Sequence, residues 1–370
     1  MSYWKNIREL SGFFLSMGVL AFGGPAAHIA LMQRELIERK KWIDQSEFLA
    51  LIGITNLVPG PNSTEMVMHM GYKKGKTLGL ILGGLLFIIP GVVLSTLIAF
   101  LVDSQIDATQ FEPILITVQC SVIAIVSFAA YKLTKKAAKK TIDYLPIILA
   151  LGLSFAGISS VYTLLITAGL FFVIHYAKSK QSLPLLAIVL APKTIGFSSS
   201  FVFLQFLKIG SILYGSGYVL FAYLDDAFVK KGLLSSADLM NAIAVGQLTP
   251  GPILSTAAYV GFQMDGFSGA FLASLGIFLP SFILVFLLSA LVPKLLHNPH
   301  IKQFTNYLSL ASVGLLIYVG LHLIYTVAQD WWTIVCMVVL TIISFAFQKL
   351  STYYIILLGI VLGCIKLYFL

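Results

Sequence analysis

"TNLVPGPNSTEM", residues 55–66, decides how the chain is read. Two prolines and a glycine stop a helix there. Asn56, Asn62, Ser63, Thr64 and Glu65 crowd around them in an otherwise apolar sequence. A second stretch answers it, "AVGQLTPGPILST", residues 244–256. Outward from both, the correspondence continues. "FLSMGVLAFGGP" (14–25) pairs with "FLKIGSILYGSG" (206–217), "KKWIDQSEFLAL" (40–51) with "KGLLSSADLMNA" (231–242), and "GYKKGKTLG" (71–79) with "GFQMDGFSG" (261–269). Each copy then enters a long apolar segment with an internal proline, Pro90 or Pro280. The offset between paired residues stays between 190 and 192. Two copies of one unit are therefore expected, residues 1–180 and 181–370, and a repeat of that length sets the architecture.

Of the 370 residues, 58% are hydrophobic and 11% charged, against about 25% charged in a soluble domain. The mean hydropathy is +0.94. Apolar runs at 77–100, 113–131, 267–292, 303–325 and 352–370 each approach the roughly 20 residues a spanning helix needs. The expected fold is an all-α polytopic membrane protein; weak period-2 alternation argues against a β-barrel. The net charge of +9 sits in short loops, where lysine and arginine set topology rather than nucleic-acid binding. Cys120, Cys336 and Cys364 lie singly in apolar segments and read as packing residues. No phosphate-binding loop, HExxH or nucleophile elbow is present, so neither an enzyme nor a cofactor is expected. The opening "MSYWKNIREL" is too polar for the apolar core of a signal peptide.

Loop charge orients the two copies. The loop at 33–47 carries Arg34, Arg39, Lys40 and Lys41, that at 72–76 carries Lys73, Lys74 and Lys76, and that at 132–140 carries five lysines. The intervening loop, 101–112, has Asp103, Asp107 and Glu112 and no basic residue. The basic loops are expected inside and the acidic one outside. In the second copy the matching loops hold Asp225, Asp226, Asp238, Asp265 and Asp330 against Lys230 and Lys231, while 293–302 holds Lys294 and Lys302. The sign flips, and with it the expected topology: inverted repeats of about five crossings each, ten spanning helices in all. Such a count puts both ends outside, against the preference of Lys5 and Arg8 for the inside.

Residues 48–70 lie between two basic loops, and their arms, 48–58 and 62–70, are too short to span. They read as a re-entrant helical hairpin with Pro-Gly-Pro at its tip, and its counterpart would enter from the other face. Such a tip is tolerated only inside protein or beside a polar cavity. There the outgoing half-helix presents free N–H groups and a partial positive charge, an anion site that needs no buried cation. Asn56, Gly60, Asn62, Ser63 and Thr64 from the first tip, and Gln247, Gly251, Ser255 and Thr256 from the second, are the substrate-binding candidates. Gly23, Gly24 and His28, at the glycine break in the first helix, stand close by. Two ordinary turns between short helices remain the alternative. Glu65 and His69, four apart on one helical face, are candidates for proton coupling because ionisable groups inside a membrane are costly. A mutual pair between them is the plainer reading.

Taken together, "AFGGPAAHI", the basic loop ending at Trp42, "NLVPGPNSTEMVMHMGY", "GQLTPGP", "VGF" and "GIFLPSF" resemble the chromate ion transporter family in its long, two-domain form. The resemblance covers nearly the whole chain. It implies a multi-pass protein of the bacterial inner membrane that exports chromate, a tetrahedral dianion. A carrier for sulfate or an organic anion, or an anion channel, would use the same helix-end chemistry. The implied partners are a small inorganic oxyanion and the lipid bilayer, with a homodimer compatible and no nucleic acid.

Overall fold

The computed structural model describes residues 3–22, 24–55, 59–105, 108–179, 199–295, 299–348 and 350–369. Their regular structure is helical, with no strand among them. The first series runs α1 (Tyr3–Leu20), α2 (Gly24–Gln33) with a π-helical turn (Arg34–Arg39), α3 (Gln45–Thr55), α4 (Asn62–Gln105), α5 (Ala108–Ala137), α6 (Tyr144–Phe155) and α7 (Ser160–Ser179). The second series follows the same order. It comprises α8 (Ser199–Ile212), α9 (Leu220–Leu224) with a π-helical turn (Asp225–Val229), α10 (Ser236–Leu248), α11 (Thr256–Leu295), α12 (Pro299–Val327), α13 (Trp331–Ala346) and α14 (Thr352–Phe369).

The breaks fall where the sequence withdraws helix propensity. α3 and α4 flank Pro59-Gly60-Pro61, and α10 and α11 flank Pro250-Gly251-Pro252. α4 and α11 each turn a corner. Gly75 (φ −138°, ψ 18°) and Lys76 (φ 52°, ψ −143°) make the first, and Asp265 (φ −157°, ψ 38°) and Gly266 (φ 58°, ψ −145°) the second. Each corner folds the chain back on itself. The Gly79 carbonyl sits where a Cβ on Gly71 would be, and the Val67 carbonyl lies beside Gly83. These two pairs straddle the corner symmetrically, so the arm from Asn62 runs antiparallel to the long segment after Lys76. Gly261 and Gly269 meet in the same way. At 1.5 Å per residue the arm places its Pro-Gly-Pro tip about 20 Å from the corner.

Four helical segments are long and apolar enough to cross a membrane: Asn62–Asp103, Glu112–Ala137, Ile253–Leu288 and Lys302–Val327. On α4 a row of exposed apolar side chains (Ile81, Leu85, Ile89, Val93, Leu97, Leu101) follows one face. A surface of that kind needs lipid or protein over it. Small residues bring helices close without side-chain gaps. Gly18 of α1 lies on the Leu86 and Phe87 carbonyls of α4, and Gly210 of α8 lies on the Ile277 carbonyl of α11. The later helices exchange partners: α6 and α7 pack on α12, and α13 and α14 on α5.

Lys76 occupies a backbone region that side chains avoid, while Gly266 fills the corresponding place in the second series without cost. Lys76→Gly is expected to stabilise the protein by about 1 kcal/mol, read as a raised thermal unfolding midpoint in detergent. An unchanged or lowered midpoint would show that the corner is not strained.

Candidate functional site

Both tips turn on a glycine with positive φ, Gly60 at 146° and Gly251 at 87°, backbone that a side chain rarely adopts. The Gly60 N–H donates to the Leu213 carbonyl at 2.7 Å, and the Gly251 N–H to the Ala21 carbonyl at 3.1 Å. Leu213 and Ala21 are the first residues beyond α8 and α1, where carbonyls have lost their helical donors. Each tip is thus bonded to the break in the first helix of the opposite series. Each also lies on the opposite long helix next to its proline. Gly60 faces Ser281, which follows Pro280, and the Pro250 carbonyl lies on Gly91, which follows Pro90.

His28 ties the first break to the first tip. Its Nε2 lies 3.1 Å from the Ala21 carbonyl oxygen and its Nδ1 3.4 Å from Ser63 Oγ. A carbonyl only accepts, so Nε2 carries the proton and, in the neutral ring, Nδ1 accepts from the Ser63 hydroxyl. At the second tip, Thr249 Oγ1 lies 3.3 Å from Ser255 Oγ and accepts at 3.3 Å from Ser95 Oγ of α4. Thr256 donates to the Ile253 carbonyl at 2.8 Å.

Two adjoining cavities, of about 540 and 300 Å³, share Leu133, Lys136 and Gly215. The smaller one reaches Asn62 at the first tip, Pro25 and Ile29 of α2, and Ser216, Gly217 and Tyr218 at the second break. The Tyr218 phenol in turn lies against the Gln247 amide. Lys132 and Lys136 of α5 and Lys302 of α12 stand on the walls, all three exposed. None of the described lining residues is acidic.

The sequence candidates therefore divide. Asn62 lines a cavity. Gly60 and Gly251 stand at the tips, but their N–H groups are engaged by carbonyls. Ser63, Thr64, Gln247, Ser255, Thr256 and His28 are buried around the tips, and none of them is among the residues lining either cavity. Gly24 begins α2. Gly23 and Asn56 lie outside the described residues. Glu65 and His69 are buried one turn apart on α4. Ser281 faces the Glu65 carboxyl from α11, and Tyr214 lies near it. Thr64 Oγ1, both Glu65 carboxyl oxygens, Ser281 Oγ and Gln247 Nε2 are buried without a well-formed hydrogen bond among the described residues.

Ser216, Tyr218, Ser281 and the wall lysines are the residues that sequence reasoning passed over. Ser216 lies inside "FLKIGSILYGSG" and Tyr218 follows it, and Ser281 lies inside "GIFLPSF". Position next to a break or a helix proline was the available signal. In the sequence the lysines mark topology alone.

The family model described as "Chromate transporter" matches residues 8–192 and 201–364. A probable chromate transport protein of Synechococcus elongatus is 28% identical, over 84% of this chain and 82% of its own length. A chromate transport protein of Cupriavidus metallidurans is 27% identical, over 84% and 80%. An uncharacterized transporter of Methanocaldococcus jannaschii is 23% identical, over 95% and 92%. No solved structure matches the chain. A family of transporters, not of enzymes, thus accounts for nearly the whole sequence and for its several long apolar helices: this multi-pass membrane protein belongs to the chromate transporter family.

Proposed function

We propose that the protein exports chromate or a related oxyanion across the bacterial inner membrane by alternating access, using two inverted repeats, residues 1–180 and 181–370. The observation that carries this reading is the reciprocal bonding of tips and breaks, Gly60 to Leu213 and Gly251 to Ala21. Corners at equivalent positions, matching π-helical turns and the exchange of partners between α5 and α12 support the same symmetry. The division of the family match into residues 8–192 and 201–364 supports it too. Each hairpin then re-enters, and a tip about 20 Å from its corner reaches toward the middle of a hydrocarbon core roughly 30 Å thick. The count of ten crossings expected from the sequence takes α1 and α2 as one crossing. Tyr3, however, bonds the Gly75 carbonyl at 3.0 Å and Lys40 pairs with Glu9 at 3.3 Å, so both ends of that unit lie on the side of the corner and it too re-enters in this reading.

In this reading the anion sits where Asn62, at the start of α4, faces Ser216 and Tyr218 across the smaller cavity. The positive end of the α4 dipole and the first-turn N–H groups favour it there. Asn62 supplies a side-chain donor, and Ser63 and His28 hold the first turn of α4 against the break. The second tip, with Gln247, Gly251, Ser255 and Thr256, closes the opposite side of the site. It would open when one repeat rocks against the other. Export needs no coupled ion: at 100 mV, inside negative, the field is worth about 4.6 kcal/mol on a dianion leaving the cell. The relatives named for chromate transport set the first substrate to try.

The test is flux of labelled chromate, with sulfate as competitor, in proteoliposomes under an imposed potential. Wild type should give saturable, potential-driven flux, and Asn62→Ala should lower it 10- to 100-fold, since a hydrogen bond to a charged group contributes about 1.5–3 kcal/mol. Non-saturable currents would favour a channel. No flux of either anion by folded protein would overturn the reading. Glu65, buried beside Ser281 and one turn from His69, is the candidate proton carrier. Glu65→Gln is expected to abolish flux driven by a pH gradient and to spare flux driven by potential. Equal loss of both would assign Glu65 to structure.

A further inference from the structure

The two cavities form one path. It starts between Lys136 and Lys302, passes Leu133 and Gly215, and ends at Asn62, Ser216 and Tyr218, with Lys132 on the wall of the smaller cavity. Lys132 is held by its surroundings: its Nζ donates to the Gln348 carbonyl at 3.2 Å and stands 4.2 Å from the Phe128 ring centroid. Lys136 and Lys302 make no ion pair among the described residues. They come from α5 and α12, the corresponding helices of the two series, and face one cavity from different walls. Gln303, Asn306, Ser309 and Ser312, successive positions along α12, add polar groups between Lys302 and Gly215. At about 540 Å³ the outer cavity is far larger than one hydrated tetrahedral anion requires. A concave, single-sign, uncompensated surface focuses counter-ions and raises their local concentration 10- to 1,000-fold.

We propose that this lysine-walled vestibule is a second anion subsite, facing the cytoplasm, which collects divalent oxyanions and delivers them to the inner site at Asn62. The inference rests on the transport reading above for its substrate, and on the density of lysines in 132–140 for its side. The corresponding place in the second series carries a different charge pattern among the described residues. The position in α12 that corresponds to Lys132 of α5, 190 residues on, is His322. His322 Nε2 lies 4.0 Å from Asp225, and Asp226 stands beside it bonded to the Ser160 N–H at 3.2 Å. Where the first series has Lys132 beside the cavity, the second series thus has a histidine paired with a carboxylate.

The experiment measures KM for labelled chromate in inside-out membrane vesicles and, separately, in right-side-out vesicles, for wild type, Lys136→Gln/Lys302→Gln and Lys136→Arg/Lys302→Arg. At low ionic strength the glutamine variant should raise KM about 10-fold from the cytoplasmic face alone, with kcat unchanged, while the arginine variant stays at the wild-type value. The difference should vanish near 1 M salt, where the Debye length falls to about 3 Å. An unchanged KM, a rise that salt does not remove, or an equal rise from both faces would each overturn the proposal. A lipid phosphate has the same chemistry as the oxyanion. Repeating the measurement in phosphatidylcholine vesicles with and without phosphatidylglycerol separates the two, and an effect confined to the anionic lipid overturns the substrate subsite. Should wild type carry no chromate, the transport reading fails by itself. The vestibule is then judged by equilibrium binding of labelled chromate to the detergent-solubilised protein, which the glutamine variant must weaken and salt must abolish.

Discussion

Backbone groups inside a bilayer must find partners within the protein, and the architecture turns on how this chain meets that demand at four broken places. α1 and α8 stop at Leu20 and Ile212, leaving carbonyls at Ala21 and Leu213 without helical donors. The Pro-Gly-Pro tips leave N–H groups at Gly60 and Gly251 without helical acceptors. Each series supplies what the other lacks, and the two hydrogen bonds cross. Neither series could bury its tip and its break alone, since an unpaired buried N–H or C=O costs about 1–3 kcal/mol. The same crossing explains the small residues nearby. Gly18, Gly91 and Gly210 let carbonyls and main chain approach to where a Cβ would stand. It also explains why the polar groups of a hydrophobic chain gather at the helix breakers: broken backbone and polar side chains solve one hydrogen-bonding problem together.

Much of this was legible in the sequence because the breakers act locally. Proline at 59, 61, 250 and 252 fixes where helices end whatever surrounds them. The "GYKKGKTLG" and "GFQMDGFSG" pair marks the corners through glycines that two backbones must share. What the sequence hid was non-local. Nothing in "GIFLPSF" says that Ser281 faces Glu65 from the other series, since that pairing exists only once α11 lies beside the first tip. The exchange of α6 and α7 onto α12 was hidden for the same reason. The engagement of the Gly60 and Gly251 N–H groups was also out of reach. Reading each tip by itself makes those donors look free for an anion, whereas the opposite break takes them, and Asn62, one residue beyond Pro61, is what meets the cavity.

The tips are related in sequence but not in what they meet. The first reaches a cavity through Asn62. The second is closed over by Thr249, Ser255 and Ser95 in a chain of buried hydroxyls. In a rocking mechanism these are the two states a tip must alternate between, so one conformation carries a picture of both. Buried hydroxyls suit the closed state because Ser and Thr can turn from one acceptor to another without leaving an orphan. Glu65 breaks the symmetry, because its counterpart is Thr256, whose hydroxyl is satisfied within its own turn. A coupled proton would therefore have one seat in the transporter rather than two.

The copies have diverged in charge at corresponding positions of α5 and α12. Phe128 and Tyr318 both lie under a lysine, Lys132 at 4.2 Å in one case and Lys230 at 4.8 Å in the other. Lys230, however, comes from a segment that also brings Asp225 and Asp226, and it pairs with Asp226 at 3.4 Å. The charge beside Tyr318 is thus neutralised by its own segment, whereas Lys136 and Lys302 stay uncompensated among the described residues. A membrane potential acts on the anion only once it is inside the field. The vestibule acts earlier, by deciding from which side the site is filled. In the proposed exporter the two effects would act in sequence, and a few charge differences at corresponding positions of the two series would provide the second without disturbing the backbone exchange between them.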